Sequence, residues 1–376
     1  MRGLRILITN HFLRGRTGSE LYVCEVAKSL LQRGHMPIVY SPQLGPTARD
    51  LRNATVPVVD DLDAIASAPD LIHGQHHVET MSALLRFPDT PAVFFCHGFF
   101  PWEETPPRHP RIVRYVAVDD TCFDRLVAEN GIAEERVSVI LNSVDVDQFL
   151  PRSPLPAKPA RALVFSNGAK ESTHLSTVRE ACEKSGLALD VIGADAGNAS
   201  ARPQDALGQY DIVFAKARCA LEAMAVGTAV VLCDTMGVGP MVTMDELERL
   251  RRLNFGVRTL RNNVDAGVLQ KEIARYDPTD AAEVSRQIRT NAARSAAIDQ
   301  TIALYDDAIR EFNENGSRDR DAEARAEAAY LRELTSHFEA EFDAILKSRT
   351  FRWRKRMLDL PGTGPMLRSL ASKFRE

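Results

Sequence analysis

The stretch that decides the fold is LRILITNHFLRGRTGSELYVCEVAKSLLQRGHMPIVY, residues 4–40 of a chain of 376 residues. It begins with the apolar run Leu4–Ile8 and continues through a glycine-containing loop, Gly15–Glu20. Apolar side chains then recur at helical spacing as far as Gly34, and Pro37–Tyr40 is a second apolar run. Strand, loop, helix and strand in this order form a βαβ unit, which predicts a parallel sheet with a right-handed crossover.

The same alternation continues along most of the chain. Short apolar runs bounded by loops follow one another as far as Leu141, and a second series extends from Ala162 to Leu232. Between the two series lies a proline-rich interval, residues 151–159, which is typical of an interdomain linker. We therefore predict an α/β protein with two Rossmann-like, doubly wound domains that face a cleft, residues 1–150 and 151–312.

The charge balance of the sequence changes at residue 313. Residues 313–346 carry nine acidic and four basic side chains together with an apolar stripe at helical spacing. Residues 347–376 carry nine basic and two acidic side chains and include Phe351 and Trp353. We predict a third region, residues 313–376, that is a helical extension with a basic amphipathic tail. Residues 347–376 suit an anionic membrane surface, and the alternative is a solvated or oligomer-contacting helix. Residues 313–346 could form a homo-oligomer contact.

Composition narrows the functional classes. A net charge of −4 and a pI near 6.2 give no general case for nucleic-acid binding. The six cysteines form no CxxC pair, which is typical of a reducing compartment. The opening strand pattern lacks the layout of a signal peptide, and the longest apolar stretch, Ala220–Cys233, is too short to span a bilayer. We expect a cytoplasmic protein. The basic tail suggests that it could also bind peripherally to the inner face of the membrane.

Loops that follow strands are the places to search for a site, because ligands of doubly wound sheets bind there. The loop Gly15–Glu20 leads into a helix N-terminus, and Gly18 would allow the backbone to approach a phosphate or a sugar. The alternative is a flexible loop capped by Thr17 or Ser19. The chain has neither the GxGxxG fingerprint nor the GxxxxGK[ST] phosphate loop in this segment, so nucleotide hydrolysis by that route is unsupported.

Histidines follow two of the predicted strands. His97 comes directly after the run Ala92–Cys96, where it could donate a hydrogen bond into the cleft or serve a structural role. His73, His76 and His77 could be zinc ligands, but no carboxylate or cysteine stands nearby at the spacing of a metal site. We therefore expect no metal and no bound cofactor.

Residues 214–231, FAKARCALEAMAVGTAVV, concentrate charged groups between two predicted strands. Lys216 and Arg218 lie in the loop, and we expect the helix to begin near Cys219 with Glu222 in its first turn. Two cations and a carboxylate at a helix N-terminus suit a diphosphate and a polyol, respectively. The alternative is a Glu222 that stabilises the helix dipole, with the two cations solvated.

Three pieces of the sequence share the pattern of one enzyme family. The segment 221–230, LEAMAVGTAV, resembles the EAMAxGxPVV stretch of the family-4 retaining glycosyltransferases, which have the GT-B fold. Asn142-Ser-Val-Asp145 with Phe149 is similar to their NGVDxxxF hinge signature, and Gly18–Glu20 and Cys96–Gly98 also resemble their N-terminal half. The resemblance covers about residues 1–310 in the expected order.

The resemblance implies a nucleotide-sugar donor bound mainly by the C-terminal domain and an acceptor bound largely by the N-terminal domain. Glu222 would accept hydrogen bonds from the donor ribose, Gly18 would lie near the donor phosphates or sugar, and His97 would face the reacting sugar. For the basic pair that the family places on the diphosphate, the candidates are Lys170 and either Lys216 or Arg218. Fixed cations could then replace a divalent metal, and the sugar would be transferred with retention at the anomeric carbon.

One position departs from the family pattern. The family has a glutamate eight residues before the second glutamate of its paired motif, and here that position is Phe214. A variant donor loop, an unusual donor and a loss of activity are all compatible with this change. The leading hypothesis is therefore a retaining glycosyltransferase that acts on a glycan or lipid-linked acceptor of a cell-envelope or surface polysaccharide. Its rivals are a catalytically silent GT-B-like scaffold protein and an inverting GT-B epimerase or transferase.

Overall fold

The computed structural model describes residues 3–200, 202–314, 319–349 and 351–353. Contacts between residues divide the chain into two compact units, one of residues 1–106 with 111–316 and the other of residues 107–110 with 317–376. Both large sheets lie in the first unit, and the long helix near the C-terminus lies in the second.

The first sheet is built from residues 5–139. In chain order, the described strands of this part are β1 Arg5–Thr9, β2 Phe12–Leu13, β3 Met36–Tyr40, β4 Gln43–Leu44, β5 Val58–Val59, β6 Leu71–Gly74, β7 Ala92–Cys96, β8 Ile112–Ala117 and β9 Val137–Val139. Seven of them form a parallel sheet in the order β5-β3-β1-β6-β7-β8-β9, and β2 pairs with β4. Because β1 is covered on both faces, Ile6, Leu7 and Ile8 are all fully buried, which explains its continuous apolar pattern.

The second sheet is built from residues 161–241. Its strands are β10 Arg161–Phe165, β11 Ala188–Ile192, β12 Ile212–Ala215, β13 Ala229–Asp234 and β14 Gly237–Met241. They lie in the order β11-β10-β12-β13-β14, and only β14 runs antiparallel to its neighbour. The predicted α/β architecture with two Rossmann-like sheets is confirmed.

Helices connect the strands of both sheets. Those described are α1 Gly18–Gln32, α2 Pro46–Asn53, α3 His77–Arg86, α4 Asp120–Asp124, α5 Leu175–Lys184, α6 Gln204–Leu207, α7 Ala217–Val226, α8 Met244–Arg252, α9 Ala266–Ile273, α10 Pro278–Asn291, α11 Arg294–Glu314 and α12 Arg320–Lys347. A π-helical turn, Arg125–Glu129, continues α4.

The segment that joins the two sheets is fixed by the last helices of the first unit. The backbone N–H of Val144 donates to Ala292, and the backbone N–H of Arg294 donates to Val144. After this crossing, α11 packs into the core of the first sheet through Ile298 and Tyr305. The proline-rich interval forms no regular element, and Arg152 within it pairs with the carboxylate of Asp211 at 3.2 Å. The proposed boundaries at residues 150 and 312 stay predictions.

The helix α12 presents apolar side chains without burying any of its residues. Leu331, Phe338, Phe342 and Ile345 are each more than half exposed. Within the part of the chain that the structure describes, no helix is both long enough and apolar enough to span a bilayer.

Candidate active site

Strand order locates the site. From β1 the chain adds strands first on one side of the sheet and then, from β6 onward, on the other side. The same reversal of direction lies between β10 and β12 in the second sheet. In open α/β sheets, ligands bind outside the carboxyl ends of the strands at such a reversal. Gly18 and His97 follow β1 and β7, whereas Lys170, Lys216, Arg218 and Glu222 follow β10 and β12. The fold thus brings the predicted residues to two sheet edges, called here the N-terminal edge and the C-terminal edge.

The loop before α1 is ordered by Glu20. Its carboxylate accepts hydrogen bonds from the backbone N–H groups of Gly15 at 2.6 Å and Thr17 at 2.8 Å. It also accepts one from the Thr17 hydroxyl, and Glu20 itself is buried. A Cβ atom added at Gly18 would meet nothing within 4 Å, so the protein leaves space beside this residue. The predicted approach of a ligand to Gly18 is compatible with that space and stays a prediction.

His97 lies at the end of β7 with its ring against Tyr22 of α1, the ring centroids being 4.2 Å apart. Its Nε2 atom is buried and has no hydrogen-bond partner, while its backbone N–H donates to Glu104 at 2.9 Å. Burial lowers the pKa of His97 to about 3, so the imidazole is neutral near pH 7. A neutral, half-buried imidazole with an unpaired nitrogen can form one hydrogen bond with a ligand hydroxyl.

Behind His97 lies a chain of polar groups, of which His76, Glu79 and Glu104 are buried. His76 Nε2 is 3.7 Å from Glu104 Oε1, and His76 Nδ1 accepts from the backbone N–H of His11 at 2.9 Å. His11 Nδ1 in turn lies 2.7 Å from Glu79 Oε1. Burial raises the pKa of Glu104 to about 7 and lowers that of His76 to about 4. Both groups are therefore largely uncharged at slightly acidic pH.

These contacts bear on the histidines considered as zinc ligands. His73 stacks on Phe95 with the ring centroids 3.9 Å apart, and none of His73, His76 and His77 belongs to a group of three possible metal ligands among the described residues. The group that does have such geometry in this part of the chain lies in the second unit and consists of His109, Glu323 and Glu327.

The C-terminal edge is centred on α7. This helix begins at Ala217, two residues before the expected start at Cys219, and Ala217 has a φ of +47°, which is unusual for a residue other than glycine. The correction places Glu222 in the second turn of the helix instead of the first. Gly227, with a φ of +98°, ends the helix as predicted.

Glu222 is buried and bound to a cation. Arg218, one turn earlier on α7, donates from Nε to Glu222 Oε1 at 2.7 Å. Burial raises the pKa of Glu222, and the attraction of Arg218 offsets only part of this rise. The prediction that Glu222 stabilises the helix dipole while Arg218 is solvated does not describe this arrangement, because Arg218 is engaged through all its nitrogens.

Arg218 also connects the two sheets. Its Nη1 donates to the Glu25 carboxylate of α1 at 2.9 Å, and its Nη2 donates to the other oxygen of that carboxylate. Glu25 lies 2.7 Å from Arg294 of α11, which donates to Asp145 of the hinge segment at 3.0 Å. A continuous ionic network, called here the clasp, therefore joins Glu222 to the hinge.

The other predicted cations of the C-terminal edge are also paired. Lys170 Nζ lies 3.1 Å from Asp195 Oδ2, with both side chains about half exposed. Lys216 Nζ lies 3.1 Å from Asp234 Oδ2, and Asp234 is nearly buried. Burial by itself would raise the pKa of Asp234, but hydrogen bonds from Thr235 and Lys216 lower it overall. A diphosphate would have to exchange places with these carboxylates.

Phe214 occupies the position where the family has its first glutamate. The side chain is fully buried in β12 and belongs to the apolar core under the second sheet. It therefore presents nothing to a ligand at this edge.

Sequence reasoning missed Glu25, Arg294, Asn10, Gln75 and Glu104. The first two are charged residues on long helices and are indistinguishable in sequence from solvated ones. The amide groups of Asn10 and Gln75 end the apolar runs of β1 and β6, which is a usable signal, since loops after such strands hold ligands.

Comparison with known proteins agrees with this geometry. Residues 16–148 match the family model of Glycosyltransferase Family 4. Among curated proteins, none matches the chain significantly in sequence.

Solved structures reproduce the fold. A glycosyltransferase from Rickettsia africae is 15% identical with a TM-score of 0.61, over 82% of this chain and 99% of that one. Anabaena HepE in complex with UDP-glucose is 15% identical with a TM-score of 0.59, over 80% of this chain and 98% of that one. The structure of Anabaena HepE with UDP and glucose has a TM-score of 0.56, with the same sequence identity and the same coverage of both chains. Residues 16–148 thus match the model of Glycosyltransferase Family 4, and the paired sheets of the chain have the fold of these solved glycosyltransferases, which is the GT-B fold predicted from the motifs at residues 142–149 and 221–230.

Proposed function

We propose that the protein transfers a sugar from a nucleotide-sugar donor to a glycan or lipid-linked acceptor, with retention at the anomeric carbon and without a divalent metal. The observation that carries the proposal is the buried carboxylate of Glu222 at the C-terminal edge, held by Arg218. By the family resemblance, this glutamate accepts hydrogen bonds from the donor ribose. The UDP-glucose complex of Anabaena HepE, which has the same fold, supports a nucleotide-sugar donor.

The diphosphate would lie near the start of α7. Lys216 is the N-cap residue of this helix and provides no side-chain cap. The N–H of Ala217 donates to the Phe255 carbonyl at 2.9 Å, so the N–H groups that would meet an anion are those of Arg218 and Cys219. Lys216 and Lys170 would exchange their aspartate partners for phosphate oxygens. These fixed positive charges would stabilise the negative charge that develops on the leaving diphosphate, which is the role a metal ion plays elsewhere.

The reacting sugar would lie between the two edges. His97 is neutral, so it would position a sugar hydroxyl by a hydrogen bond and would not act as a cation. Within the clasp, the bond between Arg218 of α7 and Glu25 of α1 would fix the position of one edge relative to the other.

A silent scaffold protein is the second candidate, and the buried Phe214 favours it. Without the first glutamate, the donor sugar lacks a carboxylate contact that the family resemblance would imply. Binding of a nucleotide sugar without turnover is the signature of this alternative.

A thermal-shift screen against UDP-, GDP-, ADP-, CMP- and dTDP-sugars tests the proposal, because a ligand of the folded state raises its apparent stability. We expect one nucleotide to raise the melting temperature selectively, with and without a chelator of divalent metals. Incubation with acceptor and NMR analysis of the product should then show the anomeric configuration of the donor. Dependence on added metal would contradict metal independence, and inversion would favour the epimerase or inverting alternative.

The acceptor and the location belong to the same proposal. We place the reaction in the synthesis of a cell-envelope or surface polysaccharide, with the enzyme in the cytoplasm and the basic segment 347–376 against an anionic membrane surface. Most of that segment lies outside the described residues, while Trp353 is 65% exposed. The apolar stripe of α12 would serve a homo-oligomer contact. Flotation with anionic vesicles, comparing the full chain with one lacking residues 347–376, separates these two partners.

A further inference from the structure

Polar atoms without partners lie at the point where the first sheet reverses its strand order. Asn10 Oδ1, Gln75 Oε1 and His97 Nε2 are each buried and accept or donate no hydrogen bond. Asn10 and Gln75 are completely buried. A buried polar atom that lacks a partner costs free energy, so native proteins rarely leave one unsatisfied. Three of them at one sheet edge point to a ligand that supplies the missing hydrogen bonds.

The amides of Asn10 and Gln75 share one face of the sheet. Ile8 of β1 lies opposite His73 of β6, and Asn10 and Gln75 each follow two residues later. Because side chains alternate along strands, both amides lie on the face of Ile8 and His73. The contact between Gln75 Nε2 and His73 Nε2, 3.5 Å apart, agrees with this placement.

His97 lies on this face as well. The ring of His73 stacks on Phe95 of β7, and His97 follows Phe95 by two residues. The rings of Phe95 and His97 are nearly parallel, with centroids 6.3 Å apart. The unpaired atoms therefore belong to neighbouring strands and lie on one side of the sheet, next to the N-terminal part of α1.

The chemistry of these atoms selects the ligand. Asn10 and Gln75 present carbonyl oxygens, which accept hydrogen bonds and cannot donate them. The orientation of the Asn10 amide is fixed, because its Nδ2 donates to the Phe12 carbonyl at 2.5 Å. A hydroxyl group satisfies such oxygens, whereas an ionised phosphate or carboxylate would be repelled.

The charges around the subsite agree with this selection. The carboxylates of Glu104 and Glu79 are linked to it through His97 and through His11 and His76. The guanidinium of Arg125 is directed to the backbone carbonyls of Gly98 and Pro101. Arg125 is thus held by these carbonyls, and the preference for a hydroxyl group rests on the two amide oxygens themselves.

We infer that Asn10 and Gln75, together with His97, form a subsite that binds hydroxyl groups of an uncharged sugar ring, and that the two amides are specificity-determining residues. This inference rests on the proposed glycosyl transfer. The ring could come from the donor or from the acceptor, since the hydroxyl chemistry is common to both.

The Gln75→Met variant tests the inference, because methionine keeps the length of the side chain and removes the unpaired oxygen. Binding of methyl glucoside and methyl galactoside is measured by saturation-transfer NMR, with glucose 6-phosphate as the charged counterpart. Calorimetry then compares the affinities for the nucleotide and for its nucleotide sugar. We expect about tenfold weaker sugar binding in the variant, the effect of one lost hydrogen bond, and weaker binding of the phosphorylated sugar to the wild type.

The two sources of the ring give different results. If the donor sugar occupies the subsite, the variant loses affinity for the nucleotide sugar and not for the nucleotide. If the acceptor sugar occupies it, the variant loses the methyl glycoside and keeps both donor affinities. Wild-type protein that binds no uncharged sugar, or equal binding by both proteins, would overturn the inference.

Stability provides an independent readout. Removing an unsatisfied buried oxygen should leave the melting temperature of Gln75→Met unchanged or raise it. Thr90→Val is the matched control: Thr90 is buried near the opposite edge of the sheet and its hydroxyl donates to Pro69 at 3.0 Å, so we expect lower stability with unchanged sugar binding. A marked loss of stability in Gln75→Met would show that the oxygen is satisfied within the fold, against the inference. Failure of every nucleotide to bind would refute the proposed function and leave these sugar-binding results to decide the subsite.

Discussion

At the N-terminal edge, Asn10, Gln75 and His97 hold polar atoms without partners, whereas at the C-terminal edge Lys170, Lys216 and Arg218 all hold carboxylates. The first set gains hydrogen bonds when a neutral ligand binds. The second set must exchange ion pairs within the protein for ion pairs with a ligand. Sugar binding at one edge and diphosphate binding at the other therefore have different energetic consequences.

The difference follows from the cost of burying charge. An unpaired neutral oxygen at the N-terminal edge costs a modest free energy, while an unpaired buried cation or carboxylate costs several kcal/mol, roughly 3–5. A protein that keeps charges ready for a ligand must pair them internally when the ligand is absent. At the C-terminal edge Arg218 does this for the buried Glu222 and Lys216 for Asp234, whereas Lys170 and Asp195 are half exposed and need it less.

The largest expected effect concerns Glu104, whose buried carboxylate accepts a hydrogen bond from the backbone N–H of His97. Because its pKa is about 7 in the folded protein and 4.5 in an unfolded chain, the folded state binds a proton more tightly. This stabilisation is complete below about pH 4.5 and is lost as the pH rises through 7. Relative to Glu104→Gln, the wild type should lose about 3 kcal/mol of unfolding free energy between pH 4.5 and pH 8.

Urea unfolding of both proteins across this pH range measures the difference. His76 and His97, whose pKa values are lowered, destabilise both proteins as the pH falls below 6.5, so their contributions cancel in the comparison. Glu339→Gln, at an exposed glutamate of α12, is the control. A difference that does not change with pH would show that Glu104 is not buried as described.

The second effect concerns the clasp. Arg218→Met leaves Glu222 without its cation and removes a contact between α7 and α1. Because the Arg218 side chain is 29% exposed and Glu222 can take up a proton, we expect a loss of about 2 kcal/mol in unfolding free energy, less than for a fully buried pair. The control Arg179→Met breaks an exposed pair with Glu171 and should cost at most about 0.5 kcal/mol. Equal losses in the two variants, measured by urea unfolding, would mean that the clasp contributes no more than a surface ion pair.

The smallest effect tests the exchange of ion pairs directly. Asp195→Asn frees Lys170 from a half-exposed partner, and the affinity for the nucleoside diphosphate should rise about threefold. Asp190→Asn, which breaks the exposed pair with Arg161 on β10, is the control and should leave the affinity unchanged. Weaker binding in Asp195→Asn would show that Asp195 contacts the ligand instead of competing with it.

Much of the fold could be predicted from sequence because local sequence patterns determine where its strands and helices lie. The apolar runs of β1 and β13 are continuous because both faces are covered, and the glycine at position 227 ends α7 where the pattern stops. The helix α7 begins two residues before the predicted start, since Ala217 adopts a backbone conformation that alanine rarely takes. Propensity alone therefore favours a later start.

The site was harder to predict for a physical reason. Glu25 and Arg218 are separated by 193 residues, and nothing local in either helix indicates that they meet. Lys170, Lys216 and Glu222 were found through the family motif and their position after strands, but their partners depend on tertiary packing. The packing of α11 against the first sheet likewise depends on long-range contacts, and no local sequence pattern near residue 294 indicates it.

The most direct test of the account is a calorimetric titration of the nucleotide selected by the thermal-shift screen into wild type, Glu222→Gln and the exposed-site control Glu339→Gln. We expect about tenfold weaker binding to Glu222→Gln, because a ribose hydroxyl loses a charged acceptor, and unchanged binding to the control. The melting temperature of Glu222→Gln should remain close to that of the wild type, since Arg218 keeps its bond to Glu25. Equal affinity of Glu222→Gln and wild type would contradict the placement of the donor on α7.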